Sequence, residues 1–232
     1  VGVNYFFHNP EGIEKLDKKI GLCEMAKEAE ERDRPFYFTR EEEDCLGKIF
    51  FGMMGDRPRR SDGGLLGVKF GLFQEGHANL RHRTFVPLLD AGSVNYVVFS
   101  PIDKLRYEPD LLFIVADTRQ TEILLRAMTY STGELLESRA TLVGQCSSLF
   151  IYPYLTGKIN YIPTGLSYGI KGRKVYPEGL MMVSIPYQWI PTVTKNLNEM
   201  EWVLPQFENS REEFIEWDEK MTEETHAESE NP

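Results

Sequence analysis

Three cysteines, Cys23, Cys45 and Cys146, are the residues whose type and placement could carry chemistry. A thiolate attacks electrophiles and binds metal ions, whereas a protonated thiol does neither well. Each cysteine falls in the first turn of a predicted helix, where free backbone N–H groups and the positive end of the helix dipole favour the thiolate. If the three helices begin near one point, the thiols form a single reactive or metal-binding site.

Ordinary packing is the alternative for the same three residues. Free cysteine is among the most buried residue types, and three in 232 residues is not unusual. An odd number of widely spaced cysteines makes a poor disulfide framework, so we expect free thiols. Position alone leaves convergence and scattered burial both open.

The elements that would position the cysteines are predicted from composition. Residues 21–31, GLCEMAKEAEE, are strong helix formers. The acids at 41–44 suit a helix N-terminus, so the next helix is expected to begin close to Cys45. A strand is expected in the segment just before Gly144, and a third helix is expected to begin near Gly144.

Two apolar runs, 93–101 and 110–116, are the clearest strands, and we expect them to be central and adjacent in a sheet covered on both faces. Asp117 should cap a following helix that Gly133 stops. Residues 65–73, LLGVKFGLF, predict a buried strand. Further strands are expected within 1–7, 35–39, 158–163 and 180–186, and a last helix within 189–200. This irregular order predicts an α+β domain with a mixed β-sheet covered by helices.

The charge is concentrated in the C-terminal segment. The formal net charge is −10, and residues 206–232 carry −8 of it, so the rest of the chain is nearly neutral. We expect a single domain over 1–205 and an acidic tail over 206–232 that is at least partly disordered, firmly so after Met221. Phe207, Phe214, Ile215 and Trp217 could dock part of the tail on the body or on a neighbouring subunit. A protein partner or a homo-oligomer is therefore possible.

Charge and hydropathy exclude two classes of partner. A nearly neutral body without a basic stripe gives little basis for binding nucleic acid. No apolar run approaches the ~20 residues needed to cross a bilayer, so no membrane association is expected. The sequence predicts a cytoplasmic protein.

A second candidate site is the segment GIKGRK at 169–174. Lys171, Arg173 and Lys174 share a glycine-broken loop in an otherwise acidic chain, which makes them an anion-binding candidate. A solvated turn is the alternative for the same residues.

The ordered set LCEMAKEA, FYFTREEEDCLGK, YPYLTGKIN and IPY resembles the uncharacterised archaeal and bacterial ArCR proteins, domain-of-unknown-function family 169. The resemblance spans about residues 1–200 and implies a site at Cys23, Cys45 and Cys146. Where many members carry a further cysteine, this chain has Thr164-Gly-Leu-Ser-Tyr-Gly, so a four-cysteine site is not expected. The family brings no assigned activity.

Three functions follow as hypotheses. The first is a protein in which the three cysteines hold an iron–sulfur cluster or zinc and leave a fourth position open, with a redox or accessory role. The second is a module that binds a small molecule or a protein and has buried structural cysteines. The third is a thiol enzyme with Cys45 as nucleophile, for which the sequence identifies no base. Whether the protein is an enzyme is left open.

Overall fold

The computed structural model of the chain describes residues 1–54 and 63–230. The sequence GDRPRRSDGG at 55–64 predicts a loop, and residues 55–62 of it lie outside the described ranges. A seven-stranded sheet has the order β2-β3-β4-β1-β5-β7-β6. Its strands are β1 (Gly2–Phe6), β2 (Glu14–Lys15), β3 (Phe36–Phe38), β4 (Tyr96–Ser100), β5 (Leu111–Ala116), β6 (Asn160–Pro163) and β7 (Met181–Pro186).

Helices cover the sheet, which confirms the predicted α+β class and mixed sheet. The α-helices of the described residues are α1 (Leu22–Arg32), α2 (Gly47–Phe50), α3 (Leu65–Lys69), α4 (Gly76–Thr84), α5 (Thr118–Thr129), α6 (Tyr152–Thr156), α7 (Tyr168–Arg173), α8 (Ile190–Glu199) and α9 (Arg211–Glu230). A π-helix, Ser147–Ile151, leads directly into α6.

The first strand of the chain lies at the centre of the sheet. Strand β1 pairs antiparallel with both β4 and β5, so that Val3 lies opposite Phe99 on one side and Leu111 on the other. The prediction that β4 and β5 are adjacent is therefore wrong, although both are central. β2 and β3 form a parallel pair, and the remaining pairs are antiparallel.

Alternate residues of β5 enter two different cores. Leu111 and Phe113 pack in one cluster, and Leu112 and Ile114 in the other. A strand buried on both faces has no solvent side, which explains its uninterrupted apolar run. The sheet thus separates two hydrophobic layers.

Helices α5 and α8 cover the face of the sheet on which Leu112 and Ile114 pack. The Asp117 side chain accepts a hydrogen bond from Gln120 N, as the predicted cap requires. The fully buried Asn196 of α8 donates from Nδ2 to Ala127 O at 2.7 Å and to Ser131 Oγ at 2.8 Å. This amide ties α8 to α5 and to the turn that follows α5.

Two predicted strands are wrong. In the segment 65–73, Leu65–Lys69 is the short helix α3, with Leu65 exposed, and Gly67 packs against Asn79 of α4. The segment before Gly144 has no regular structure. Its backbone at Arg139 pairs with a side chain instead of a strand, since the Asn160 amide accepts from Arg139 N and donates to Arg139 O. Apolar content alone did not distinguish these segments from strands.

The acidic C-terminal segment contains the exposed helix α9. It contacts the short 3₁₀ turn Pro205–Glu208, and its aromatic side chains Phe214 and Trp217 remain partly exposed. The domain boundary near residue 205 and the partial disorder of the tail stay predictions.

Candidate functional site

The three cysteines line one cavity of about 1220 Å³. The cavity lies among the starts of α1 and α2, helices α3, α4 and α7, and residues 142–150. Cys45 lies 22 residues after Cys23 and Cys146 a further 101 along the chain, so separate parts of the sequence supply the thiols. Lining one cavity is a weaker relation than sharing one metal centre, so convergence on a single centre stays a prediction.

Cys23 is the second residue of α1, as predicted for a first turn. Its thiol packs closely against α7: a Cβ placed on Gly169 of that helix would lie only 3.6 Å from Cys23 Sγ. Gly21 N donates to Glu24 Oε2 at 2.7 Å and so fixes the start of the helix. The first turn of α1 therefore faces the cavity.

Cys45 lies in a bend two residues before α2, rather than in its first turn. The buried carboxylate of Glu43 holds this bend against α1. Its Oε1 accepts from Leu22 N, and its Oε2 accepts from Lys48 N, both at 3.2 Å. One carboxylate thus joins the N-termini of α1 and α2 and brings Cys45 to the same wall as Cys23.

Cys146 directly precedes the π-helix, in the helical turn expected from the sequence. Gly144 has φ +74°, and its ideal Cβ would lie 2.7 Å from the Phe50 ring, so both conformation and space require glycine there. π-Helical turns occur frequently at functional sites. Here the π-helical turn begins immediately after Cys146.

Burial opposes ionisation of two thiols. It raises the pKa of Cys23 to about 12, although Arg173 acts to lower it. Burial also raises the pKa of Cys146 well above its usual value, and the neighbouring Cys23, Glu43 and Cys45 raise it further. The expectation that helix N-termini would favour ionised thiols is therefore wrong for Cys23 and Cys146, because desolvation outweighs the helix dipole.

Glu43 is also shifted toward its neutral form. Burial raises the pKa of its carboxyl group, and hydrogen bonds from backbone N–H groups only partly offset the rise. The thiols of Cys23 and Cys146 and the carboxyl group of Glu43 therefore share a weakly hydrated environment. Such an environment disfavours uncompensated negative charge.

The donor set has the chemistry of a soft metal site, but its spacing is not that of a formed one. Within residues 1–54 and 63–230, no group of three or more His, Cys, Asp or Glu is arranged to hold a metal ion. Cys45 is exposed and lies in a bend, whereas Cys23 and Cys146 are partly buried. Metal binding by Cys23, Cys45 and Cys146 therefore stays a prediction.

The rest of the wall is largely apolar and aromatic. Phe70, which directly follows α3, stacks on Tyr168 of α7 with ring centroids 5.4 Å apart, and Phe50 and Phe150 contribute further rings. Pockets for small organic molecules are typically ~300–1,000 Å³ and mostly apolar. The cavity is large enough for such a molecule as well as the group that the cysteines would hold.

Three functional candidates were not singled out from the sequence: Glu43, Asn79 and Gln145. Gln145 is 3% exposed, and neither of its side-chain polar atoms has a partner in the described part of the chain. Asn79 donates to Gly64 O at 2.8 Å, while its Oδ1 is unpartnered. Only Glu43 left a signal, within the acidic run at 41–44, and that run was interpreted as favourable charge at a helix start.

The predicted anion site falls on helix α7 rather than in a loop. Arg173 bonds to Glu24 at 2.6 Å and to Asp44 at 2.8 Å, and Lys171 pairs with Glu178 at 3.0 Å. Lys174 is the left-handed residue that ends the helix. Arg173 therefore braces α7 against the segments that carry Cys23 and Cys45. Anion binding stays a prediction.

The fold and site together define an α+β protein with a thiol-lined cavity beside its sheet. The chain belongs to domain-of-unknown-function family 169, described as Uncharacterised ArCR, whose family model matches residues 1–196. This confirms the resemblance carried by the four quoted segments. No curated protein and no solved structure matches the chain.

Within residues 1–54 and 63–230, no helix combines the length and the apolar character needed to cross a bilayer.

Proposed function

We propose that the protein holds an iron–sulfur cluster through Cys23, Cys45 and Cys146, with one iron position open to the cavity. The convergence of three cysteines from distant segments on one cavity wall carries the proposal. Three protein ligands leave a coordination position for solvent, substrate or a partner's ligand, whereas structural zinc sites close all four positions.

The chain's own residues support this role in separate ways. Glu43 fixes the two helix starts that bear Cys23 and Cys45 through hydrogen bonds from Leu22 N and Lys48 N. Arg173 supplies positive charge beside Cys23 and acts to lower its pKa. When bound, the cluster would supply electron transfer or Lewis-acid chemistry at its open iron. Loading requires the thiols to lose protons, so the affinity should rise with pH.

A second function is supported by the size of the cavity and the raised thiol pKa values. A cavity of about 1220 Å³ that is lined largely by apolar side chains suits a small-molecule binding module. Protonated Cys23 and Cys146 would then act as packed apolar residues. This function needs no metal.

Metal and sulfide analysis separates the two functions. The full chain is purified without oxygen, and iron, acid-labile sulfide and zinc are measured together with the visible absorbance spectrum. We expect iron and sulfide in similar amounts with charge-transfer absorbance. Replacing any one cysteine by serine should remove most of the iron, to a similar degree for all three, because the cluster needs every ligand.

Ser148→Ala provides a matched control from the helix that follows Cys146. Ser148 is buried and its hydroxyl pairs with Thr141 at 3.1 Å, so the variant perturbs packing without removing a thiol. It should retain the iron. Protein without iron or charge-transfer absorbance would contradict the cluster and favour the binding module, while one zinc per chain would keep the site and remove the redox role.

A further inference from the structure

Large apolar side chains lie exposed at the mouth of the cysteine-lined cavity. Four residues line the cavity and are nevertheless between 43% and 49% exposed: Leu46, Leu66, Phe70 and Tyr168. Leu65, next to Leu66 on α3, is exposed as well. Single exposed apolar residues are ordinary, but a group of them around a concave surface is typical of an interaction site. We call these five residues the apolar mouth.

Positive charge lies beside the apolar mouth. Residues 63–89 include three Lys or Arg and one Asp or Glu. Lys69 ends α3, and Arg81 lies on α4, which packs against α3. Both side chains are exposed, and neither has an ion pair within the described residues. The single carboxylate, Glu75, lies 3.3 Å from His77 Nε2, so two cations here are left without a counter-charge.

Helix α9 has the opposite charge and an apolar stripe. Residues 211–230 include nine Asp or Glu and two Lys or Arg, a net charge of −7. The rings of Phe214 and Trp217 lie with their centroids 6.0 Å apart, and Met221 follows one turn later on the same face. Every residue over 211–229 except Met221 is exposed, so the helix is not packed on the described body of its own chain. An acidic helix with one apolar stripe fits an apolar groove bordered by positive charge.

We propose that α9 of one copy of the chain docks on the apolar mouth of a second copy, so that each copy's α9 covers the other's cavity. Phe214 and Trp217 pack on the apolar mouth, and neighbouring carboxylates of α9 lie beside Lys69 and Arg81. Pairing α9 with α9, or mouth with mouth, would place like charges together, which is unfavourable. A reciprocal exchange forms a closed two-fold dimer and ends at two copies. This inference goes beyond the proposed function and requires no metal.

Sedimentation velocity of the full, anaerobically purified chain over a range of concentrations tests the assembly. We expect a reversible dimer. Trp217→Ala and Arg81→Glu should each raise the dimer dissociation constant at least about tenfold, because one removes an aromatic anchor and the other places a carboxylate opposite an acidic helix. Leu135 is the matched control, since it is 89% exposed but borders a different cavity, beside α8. Leu135→Ala should leave the dissociation constant unchanged.

Cross-linking with a carbodiimide, which joins a carboxylate to a lysine amine, locates the contact. An equilibrated mixture of unlabelled and ¹⁵N-labelled chain is cross-linked, digested and analysed by mass spectrometry. Peptides that join Lys69 to carboxylates of α9 should occur in mixed-isotope form, because the two surfaces belong to different copies.

Three results would overturn the inference. The first is a monomer at every concentration, and the second is a dimer that survives both Trp217→Ala and Arg81→Glu. The third is a set of Lys69–α9 links found only in single-isotope form, which would mean that the helix docks on its own chain. Neither variant replaces a thiol, so the iron and sulfide content of the same samples tests the cluster separately.

Discussion

On the face of the sheet covered by α5 and α8, the buried Asn196 donates from Nδ2 to Ala127 O and Ser131 Oγ. On the cavity face, the similarly buried Gln145 has no hydrogen bond within the described residues. The first amide fastens two elements of the fold together, and only its Oδ1 lacks a partner within the described residues. The second makes no contribution of this kind.

The hydrophobic layers next to these two amides also differ in how completely they are packed. Leu112, Val183 and Ile185 pack directly under α5 and α8, whereas the layer containing Phe113 and Phe150 borders the thiol-lined cavity. A close-packed layer maximises dispersion contacts, and an open one gives some of them up. We infer that the packed face supplies more stability per side chain than the cavity face.

The largest expected effects on the free energy of unfolding come from replacing two isoleucines of similar burial, one on each face of the sheet. Ile185 on the packed face is 2% exposed, and Ile170 at the cavity wall is 3% exposed. Ile185→Ala should lower the free energy of unfolding by about 3–4 kcal/mol, and Ile170→Ala by about 2 kcal/mol, since Ile170 already borders open space. Urea unfolding measures both values. Equal losses would show that the cavity wall is packed as tightly as the opposite face.

A smaller effect is expected at the structural amide. Asn196→Ala should lower the free energy of unfolding by about 2 kcal/mol, because Ala127 O and Ser131 Oγ lose a buried donor. Asn198 lies on the same helix but is exposed, with one bond to Thr194 O at 2.9 Å. Asn198→Ala should therefore change stability by less than about 0.5 kcal/mol. A loss as large as that of Asn196→Ala would mean that helix propensity, rather than the buried bonds, determines the effect.

The smallest expected effect is an increase in the free energy of unfolding rather than a decrease. Gln145→Leu should raise the free energy of unfolding of the ligand-free chain by about 1 kcal/mol, because leucine removes two unpaired polar atoms from an apolar environment. Thermal and urea unfolding both test this. Destabilisation comparable to that of Asn196→Ala would give Gln145 a structural role and remove the contrast between the two faces.

Local signals in the sequence predicted much of the fold. The apolar runs predicted β4 and β5, and Asp117 predicted the start of α5, because pattern and capping act over a few residues. The neighbour relation of β4 and β5 was wrong because β1, from the start of the chain, inserts between them. Such long-range pairing leaves no mark in either segment.

The candidate site was only partly accessible from sequence. All three cysteines were expected at helix starts, which holds for Cys23 and Cys146 but not for Cys45. The raised thiol pKa values depend on burial that the sequence does not specify. Gln145 was missed for a related reason. The absence of a hydrogen-bond partner is a property of the folded surroundings and not of the residue type.

Cysteine alkylation of the full chain, followed residue by residue with mass spectrometry, tests the central claim most directly. In metal-free protein, Cys45 should react first because it is exposed, and Cys146 last because burial raises its pKa well above the usual value. After anaerobic reconstitution with iron and sulfide, Cys23, Cys45 and Cys146 should be protected to the same extent, and a chelator should release all three together. Protection of only one or two, with the third reacting at its metal-free rate, would contradict a single three-cysteine centre.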